Sequence, residues 1–396
     1  MKKNLPKDLI LFSTADWDHP FWTNKQHMAN TLAKDGFRIL FIESVGLRQP
    51  TASKKDLMRV YGRLKKGLRG IQQVQKNIWV YSPLVIPLHG NPIFNWINKE
   101  ILINLIRFYV RRLNFKNPML WTYNPLSIEI VGRLKKSMLI YHCVDDLSSA
   151  PGIPSNTIRK AEEMLVRTAD LVFTTSLKLH ESCSVLNPSN TYYFPNVVDF
   201  NHFSKARQTG PIPEDLMKIP RPRIGFIGAI SDYKVDFELI AYVAKLRSDW
   251  HWVLIGEVGE GKPNTSIEKL KMPNIHLLGP KGYNTLPDYL RGVDIATIPS
   301  CLNDYTASMF PMKFFEYLSA GKPVVASNLP ALKDYADVCV LAQTPSDFIQ
   351  AIANILNGKL PDINRCLKVA QEHTWERRLS WMESLLIKRW KQKYGT

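Results

Sequence analysis

Short apolar runs alternate with helical patterns along both halves of the chain, and this alternation predicts parallel strands wound with helices. Apolar runs bounded by polar or proline-containing turns predict strands at 9–13, 38–43, 119–123, 138–144, 171–175, 223–227, 252–255, 275–278, 294–299 and 324–326. Helical patterns occur at 24–35, 236–246, 286–290, 312–320 and 375–393. The predicted class is therefore α/β, with two Rossmann-like doubly wound domains that face a cleft.

A proline-rich break at residues 210–223 separates the two sets of strands and predicts an interdomain linker. A chain of 396 residues is also too long for one ordinary core, so two domains are expected. We predict a first domain at 1–208, a second at 209–375, and a C-terminal helix at 376–396 that packs back toward the first domain. Ligands of such a pair are expected at the carboxyl ends of the strands.

The positive charge of the chain is concentrated in its first half. Lys and Arg outnumber Asp and Glu by 17, and residues 1–205 carry 28 basic and 15 acidic side chains. A basic half indicates an anionic partner, such as a phosphate-bearing substrate, a membrane surface or nucleic acid. The five cysteines have no CxxC spacing, and no run of about 18 uncharged apolar residues occurs, so we expect a cytoplasmic protein without a transmembrane segment.

The basic segment at residues 54–71 has the clearest local pattern. Its apolar residues recur at helical spacing and form one stripe, namely Leu57, Tyr61, Leu64, Leu68 and Ile71. Seven lysines and arginines crowd the remaining surface. This pattern predicts a helix that lies on anionic lipid, where each nearby basic residue contributes about 1 kcal/mol of attraction. The apolar segment at 92–116 could deepen that contact, and ordinary helices packed on the domain are the alternative for both.

The stretch SMFPMKFFEYLSAGKPVVAS, residues 308–327, places Lys313 in the first turn of an apolar helix and Glu316 one turn further on. A cation is unfavourable against the positive end of a helix dipole, whereas a bound anion would neutralise both. Glu316 could pair with Lys313 or accept a hydrogen bond from a hydroxyl group. An ordinary surface lysine is the alternative.

The junction RIGFIGAISDYKVDFELI ends a strand at Gly228 and places Lys234 shortly before the next helix. A glycine that permits close backbone approach, a helix start and a lysine together predict a phosphate cradle. An ordinary strand-to-helix turn is the alternative. Neither a GxGxxG fingerprint nor a P-loop lysine is present at this junction.

Asp145 and Asp146 follow an apolar strand and are candidates for a catalytic base. Two adjacent carboxylates at a strand end can deprotonate a hydroxyl group, because their mutual repulsion raises one pKa. Strand alternation places Asp145 on the face of Tyr141 and Cys143, and we favour Asp145 as the base. A capped turn with solvated aspartates is the alternative.

The loop after the first predicted strand, STADWDHPFWTNKQHMA, is rich in aromatic residues. Aromatic faces and carboxylates are typical of a surface that recognises sugars, so Asp16, Trp17, Asp18 and Gln26 are candidate acceptor-binding residues. The alternative is that the tryptophans belong to the core. Asp16 and Asp18 have the spacing of an Asp-x-Asp metal motif.

Several stretches resemble two-domain glycosyltransferases of the GT-B fold. LIGEVGE, NIHLLGPKGYNTLPDYLRGVDIATIPS and PMKFFEYLSAGKPVVASNLPAL resemble the donor-binding domain, while YHCVDDLS, EEMLVRTADLVFTTSLKLHES and YYFPNVVDFNHF look like the amino-terminal domain. The resemblance covers nearly the whole chain. By pattern it is greatest to bacterial enzymes that assemble capsular, teichuronic or exopolysaccharide chains, including glucuronosyltransferase-like members.

This resemblance implies a nucleotide-diphospho-sugar donor in the second domain, an acceptor in the first, and no cofactor or metal. Met312 and Lys313 match a pair near the donor phosphates, and Glu316 matches the acidic residue that meets the ribose. Tyr283 and Leu286 fall where the base is normally bracketed.

The chain departs from the family pattern at Ser308. Many relatives carry there, eight positions before the ribose-binding glutamate, a second glutamate that contacts the transferred sugar. The serine weakens any assignment to the common retaining subgroup and leaves both stereochemical outcomes open.

The sequence therefore predicts a cytoplasmic glycosyltransferase, peripheral on the inner face of the cell membrane. It would move a sugar from a UDP-sugar, with UDP-glucuronate a candidate, to a lipid-linked or growing polysaccharide. The alternatives are a nucleotide-sugar epimerase of the same fold and a basic nucleic-acid-binding protein. No recognition motif for nucleic acid stands out, so we expect no such partner.

Overall fold

The computed structural model describes residues 5–19, 22–44, 62, 65–83, 92–150 and 153–395. The chain divides into two compact units. The first consists of Met1–Thr175, Leu179–Phe194 and Leu379–Thr396, and the second of Ser176–Lys178 and Pro195–Arg378.

The first unit is built on an eight-stranded sheet with the order β3-β4-β2-β1-β5-β6-β7-β8. All paired strands are parallel except β3 and β4. The strands are β1 (Asp8–Phe12), β2 (Arg38–Ile42), β3 (Gln72–Gln75), β4 (Ile78–Tyr81), β5 (Met119–Thr122), β6 (Leu139–Cys143), β7 (Leu171–Thr174) and β8 (Thr191–Tyr193). The helices are α1 (Asn24–Lys34), α2 (Pro92–Arg112), α3 (Ile128–Val131), α4 (Ser155–Thr168) and α5 (Leu177–Leu186). Central strands such as β1 are buried throughout, which explains their nearly continuous apolar sequence.

The second unit is built on a six-stranded parallel sheet with the order β11-β10-β9-β12-β13-β14. The strands are β9 (Arg223–Ile227), β10 (His251–Ile255), β11 (Ile275–Gly279), β12 (Ile295–Ile298), β13 (Val324–Ser327) and β14 (Val340–Ala342). The helices are α6 (Phe200–Phe203), α7 (Glu214–Met217), α8 (Phe237–Leu246), α9 (Leu286–Gly292), α10 (Asp304–Ala307), α11 (Lys313–Ser319), α12 (Pro345–Leu356) and α13 (Ile363–Glu372). The strand order reverses between β9 and β12, and ligands of such sheets bind at this switch point, outside the carboxyl ends of the strands. Two parallel sheets wound with helices confirm the predicted α/β class.

The last helix, α14 (Trp375–Tyr394), returns the chain to the first unit from Leu379 onward. Nζ of Lys393 donates to both carboxylate oxygens of Asp170, at 3.0 and 2.8 Å. The Tyr394 hydroxyl donates to the carbonyl of Ser137 at 2.7 Å. The prediction that the C-terminal helix packs on the first domain is confirmed.

The units divide at residue 195, whereas the sequence placed the domain boundary at 208 and 209. Residues 195–208 belong to the second unit because they are hydrogen-bonded to it: Nδ2 of Asn196 donates to the carbonyl of Phe310 at 2.5 Å, and Nε of Arg207 to that of Ser319 at 3.2 Å. The proline-rich residues 210–223 likewise lie inside the second unit. There the Arg291 guanidinium donates to the carbonyl of Pro211 at 2.6 Å.

Within the described ranges, no helix combines the length and the apolar character that crossing a bilayer requires. In the same part of the chain, no three His, Cys, Asp or Glu side chains are grouped as metal ligands would be.

Candidate functional site

The backbone turns sharply at two glycines that follow neighbouring strands of the second unit. Gly228 follows β9 and its N–H donates to the carbonyl of Ile255 at 2.9 Å, while the N–H of Gly256, after β10, donates to Gly279 at 3.0 Å. The φ angles of Gly228 and Gly256 are 156° and 155°, which side chains disfavour. A Cβ on Gly256 would lie only 1.8 Å from the carbonyl oxygen of Gly228. These glycines let the backbone lie close to whatever occupies the carboxyl edge of the sheet.

We expect Gly256→Ala to destabilise the protein by about 3 kcal/mol or more, because the added methyl group collides with backbone that cannot yield locally. Gly282→Ala is the matched control, since a Cβ there meets no atom within 4 Å. Urea unfolding followed by far-UV circular dichroism measures both. Equal stability of the two variants would contradict this prediction, because the backbone at Gly228 would then have moved away from the added methyl group at little cost.

Helix α11 is held rigidly beneath this edge. Phe314, Phe315 and Tyr317 are fully buried. The Tyr317 hydroxyl accepts a hydrogen bond from the N–H of Ile227, the last residue of β9, at 2.9 Å. The side chains on the opposite side of the helix therefore have a fixed position at the end of β9.

Lys313 extends from α11 to Gly228. A Cβ on Gly228 would lie 3.0 Å from Nζ of Lys313, and Nζ is 5.2 Å from the centre of the Phe226 ring. Among the described residues, none accepts a hydrogen bond from this ammonium group or forms an ion pair with it. Burial lowers the pKa of Lys313, and the nearby Lys234 lowers it further, while Glu316 and Glu260 oppose the shift. A half-buried cation without a counter-ion is costly, so this position suits an anionic ligand.

Glu316 lies on the same helix and is also half-buried. No hydrogen bond or ion pair joins its carboxylate to another described residue. Burial raises the pKa of Glu316 to about 7, although the positive charge of Lys313 partly offsets the effect. A half-buried carboxylate whose oxygens make no other hydrogen bond can accept hydrogen bonds from ligand hydroxyl groups.

Lys234 lies on the loop after β9, and its ammonium group is near two aromatic rings. Its Nζ is 5.3 Å from the centre of the Tyr233 ring and 5.5 Å from that of Tyr305. The backbone of Lys234 is fixed by a hydrogen bond from its N–H to Ser231 at 2.9 Å. Its positive charge lowers the pKa of Lys313. The phosphate cradle predicted at Gly228 and Lys234 stays a prediction.

Tyr283 and Leu286, predicted to bracket the base, have different environments. The Tyr283 ring stacks on His202 with 4.3 Å between ring centres and an angle of 11° between the planes. Tyr283 is partly accessible, whereas Leu286 is 3% exposed and belongs to the core. Burial of Leu286 argues against direct contact with a base. Met312 is half-buried beside Lys313.

Ser308, where many relatives carry a glutamate, is 1% exposed. Its hydroxyl donates to the carbonyl of Asp304 at 2.9 Å, so it is satisfied within α10 and the turn that follows it. The serine therefore gives a sugar no charged group at this position.

Asp145 and Asp146 have different roles at the carboxyl end of β6 in the first unit. Asp146 begins the next turn and accepts hydrogen bonds from the backbone and hydroxyl groups of Ser148 and Ser149. Burial alone would raise the pKa of Asp146, but these four hydrogen bonds lower it. The capped-turn alternative thus describes Asp146, which argues against a role for it as a base. Asp145 instead forms an ion pair with Lys25, with 3.7 Å between Oδ2 and Nζ.

The loop after β1 is held by its own polar side chains. Gln26 is fully buried; its Nε2 donates to the carbonyl of Asp16 at 2.8 Å, and its Oε1 accepts from the N–H of Thr23 at 3.0 Å. Trp17 is 9% exposed and contacts Phe41, with 5.2 Å between ring centres. Both are placed as structural residues, which argues against acceptor contact. Asp18 remains exposed and pairs with Lys66 at 2.6 Å.

Two charged residues of this region escaped the sequence analysis. Lys25 is buried beside Asp145, and Glu43 is buried at the end of β2. Oε1 of Glu43 accepts from the N–H of Trp17 at 2.6 Å, and its other oxygen accepts from the hydroxyl of Ser82. Burial raises the pKa of Glu43 despite these hydrogen bonds. Glu43 could have been found in the sequence by the signal used for Asp145, because it is also a carboxylate directly after an apolar strand.

Most of the predicted membrane-binding segment, residues 54–71, lies outside the described residues. Its described part, residues 62 and 65–71, exposes Lys65, Leu68 and Arg69. The prediction of a lipid-bound helix there stays a prediction.

Comparisons with known proteins support the family resemblance. Residues 221–358 match the family described as "Glycosyl transferases group 1". TuaH of Bacillus subtilis, a protein assigned by name as a teichuronic acid biosynthesis glycosyltransferase, is 30% identical over 234 residues, which are 55% of this chain and 58% of TuaH. The match thus spans less than two thirds of that relative.

Solved structures show the fold. A sucrose-phosphate synthase from Thermosynechococcus elongatus matches with a TM-score of 0.69 at 15% identity, over 96% of this chain and 98% of the other. Anabaena HepE, solved in complex with UDP and glucose, matches with a TM-score of 0.60 at 16% identity, over 96% of this chain and 99% of the other. The chain therefore has the GT-B fold, and residues 221–358 of its second unit match the group 1 glycosyl transferases.

Proposed function

We propose that the protein is a glycosyltransferase that moves a sugar from a nucleotide-diphospho-sugar to a lipid-linked or growing cell-surface polysaccharide. The family match on the second unit supports the activity, and the complex of HepE with UDP and glucose supports a UDP-sugar donor. The name of TuaH supports a polysaccharide acceptor and makes UDP-glucuronate a donor to test first.

One observation carries the proposal: Lys313 and Glu316 lie on one turn of α11, half-buried, and neither forms a hydrogen bond or an ion pair with a described residue. A folded protein gains nothing in stability from leaving two charges in this state. A nucleoside diphosphate satisfies both, because its phosphates accept from an ammonium group and its ribose hydroxyls donate to a carboxylate.

The diphosphate would lie against Lys313 and Lys234, over the backbone at Gly228. The ribose hydroxyls would donate to Glu316, and the base would lie near Tyr283, which the family pattern places there. Two lysines supply the positive charge that stabilises the departing diphosphate, and we propose that the reaction needs no metal ion.

A screen of nucleotide sugars by thermal unfolding tests this assignment. A ligand at a hundred times its dissociation constant stabilises the folded protein by about 2.7 kcal/mol. We expect UDP-sugars to raise the melting temperature and GDP-sugars to have little effect. The donor proposal fails if neither UDP nor any UDP-sugar stabilises the protein.

Asp145 is the proposed base for the acceptor hydroxyl group. As the hydroxyl oxygen forms a bond to the anomeric carbon, its proton would pass to Asp145, and the bond from that carbon to the diphosphate would break, releasing UDP. The ion pair with Lys25 holds Asp145 in place, whereas the hydrogen bonds of Asp146 are all used in its turn.

We expect Asp145→Asn to lower the rate of transfer by about a hundredfold or more, since the amide cannot accept the proton. Donor binding should not change. Asp146→Asn is the matched control, because an asparagine can still cap the turn, and it should retain transfer within a few-fold. Radiolabelled sugar incorporation measures transfer, and full activity of Asp145→Asn would eliminate it as the base.

The location proposed for the enzyme is the cytoplasmic face of the cell membrane, with residues 54–71 against anionic lipid. A lipid-linked acceptor is confined to a membrane, so an enzyme that uses one gains from binding there. The net charge of +17 favours that attraction.

A further inference from the structure

Helix α2 of the first unit exposes large apolar side chains along one face. Ile93 is 66% exposed, Trp96 61%, Ile101 41% and Phe108 52%. The opposite face packs into the core, where Leu102, Ile103, Ile106 and Tyr109 are buried. These four side chains all lie on the side of the helix opposite the buried residues, together with exposed Asn104 and Arg107. Large apolar side chains exposed on one face indicate a binding surface more often than scattered single residues do.

Basic side chains share the exposed face. Arg107, Arg111 and Arg112 are all exposed on the same side of the helix. The acidic residue of this region, Glu100, is already paired with Arg133, which in turn accepts a hydrogen bond on its carbonyl from Arg107 at 2.9 Å. The face is therefore apolar and positively charged at once.

The described end of the basic segment is also exposed. Lys65, Leu68 and Arg69 are exposed, and Leu68 is 78% exposed. Gly70 adjoins the buried side of α2, because a Cβ there would lie 3.2 Å from the hydroxyl of Tyr109.

We propose that the exposed face of α2 docks on an anionic lipid bilayer, with Trp96 and Phe108 as apolar anchors and the arginines on lipid phosphates. The inference rests on the proposed function, in which the acceptor is lipid-linked. A helix of 21 residues is about 30 Å long and lies in the plane of the interface, since none of the described helices is apolar enough to cross a bilayer.

Charge distinguishes this occupant from a second copy of the chain. A two-fold symmetric dimer through this face would gather six arginines at one interface, since each copy contributes Arg107, Arg111 and Arg112. Such like-charge contacts are unfavourable, whereas the phosphates of anionic lipid complement them.

Co-sedimentation with vesicles tests the proposal, using phosphatidylcholine with roughly one third phosphatidylglycerol and phosphatidylcholine alone. We expect the full chain to bind only the acidic vesicles. The double variant Trp96→Glu and Phe108→Glu should lower vesicle affinity by about tenfold or more, because it removes apolar insertion and adds repulsion. Trp381→Glu is the matched control, since Trp381 is 66% exposed in the same unit, and it should bind as the wild type does.

Three outcomes would overturn the proposal. Unchanged vesicle binding by the double variant would place lipid contact elsewhere, including residues 54–71. Equal loss in Trp381→Glu would show a general effect of added charge. A change of molecular mass in solution, with vesicle binding intact, would assign the face to contact between copies. Stabilisation by UDP or a UDP-sugar should be the same in all variants, and the absence of stabilisation by UDP and by every UDP-sugar, even in the wild type, would instead contradict the proposed donor site.

Discussion

Replacing Lys313 by methionine is expected to weaken UDP-glucose binding by about a hundredfold while leaving the folded protein at least as stable. A charge-assisted hydrogen bond to a phosphate contributes about 1.5–3 kcal/mol, and the variant removes it together with the cation. Stability should not fall, because the ammonium group of Lys313 forms no hydrogen bond or ion pair with a described residue and its burial is unfavourable. Isothermal titration calorimetry and urea unfolding measure the two quantities.

Lys322→Met is the control for this experiment. Lys322 is another shielded lysine, three residues after α11 ends, and its Nζ donates to the carbonyls of Val293 at 2.8 Å and Arg291 at 3.3 Å. The loss of these hydrogen bonds should lower stability by about 1–3 kcal/mol without changing the affinity of the folded protein for UDP-glucose. If Lys313→Met instead lowered stability and kept full affinity, the lysine would be structural and the phosphate role would be excluded.

Replacing Glu316 by glutamine is expected to raise stability at neutral and basic pH while weakening donor binding. The pKa of Glu316 is about 7 in the folded protein, above its ordinary value of 4.5. The folded state therefore binds more protons than the unfolded state between these values, so Glu316 makes stability fall as the pH rises from about 4.5 to about 7. Above that window the wild type holds a buried, unpaired carboxylate, which Glu316→Gln removes.

The expected gain at about pH 8 is on the order of 2 kcal/mol, and it should vanish below about pH 4, where both the folded and the unfolded state carry the protonated carboxyl group. Urea unfolding of both proteins across this range measures the difference. Over the same range, wild-type affinity for UDP-glucose should rise as the carboxylate forms, because a carboxylate is the stronger acceptor for ribose hydroxyls. Glu316→Gln should bind about tenfold more weakly at pH 8, with no such rise. If the unfolding free energies of the wild type and Glu316→Gln changed in parallel with pH, the Glu316 carboxylate would not be a destabilising buried charge.

The buried strands could be predicted from the sequence because a central parallel strand must be apolar on both faces. The strand predicted at 223–227 occupies Arg223–Ile227, and β6 differs from its prediction by one residue at each end. The edge strand β3 could not be predicted in this way. β3, with the sequence QQVQ, is exposed throughout, so it has no apolar pattern to show.

The candidate donor-site residues could be singled out in the sequence where a residue conflicted with its surroundings. Lys313 and Glu316 are charges on a helix that is otherwise buried, and this conflict is legible in the sequence. Residues suited to sugar binding by type alone were less informative, because tertiary contacts place Gln26 and Trp17 in the interior. Lys25 was missed because its partner, Asp145, is distant in the chain and nothing local indicates the pairing.

The return of α14 to the first unit has a consequence for how such proteins are assembled and re-engineered. The second unit is one nearly continuous stretch, Pro195–Arg378, inserted between two parts of the first. During synthesis, the contact of Lys393 with Asp170 can form only after the whole inserted stretch has been made, so the first unit completes its packing last. To exchange donor specificity between relatives, residues 195–378 should therefore be replaced as one block. The final helix should come from the same protein as the first unit.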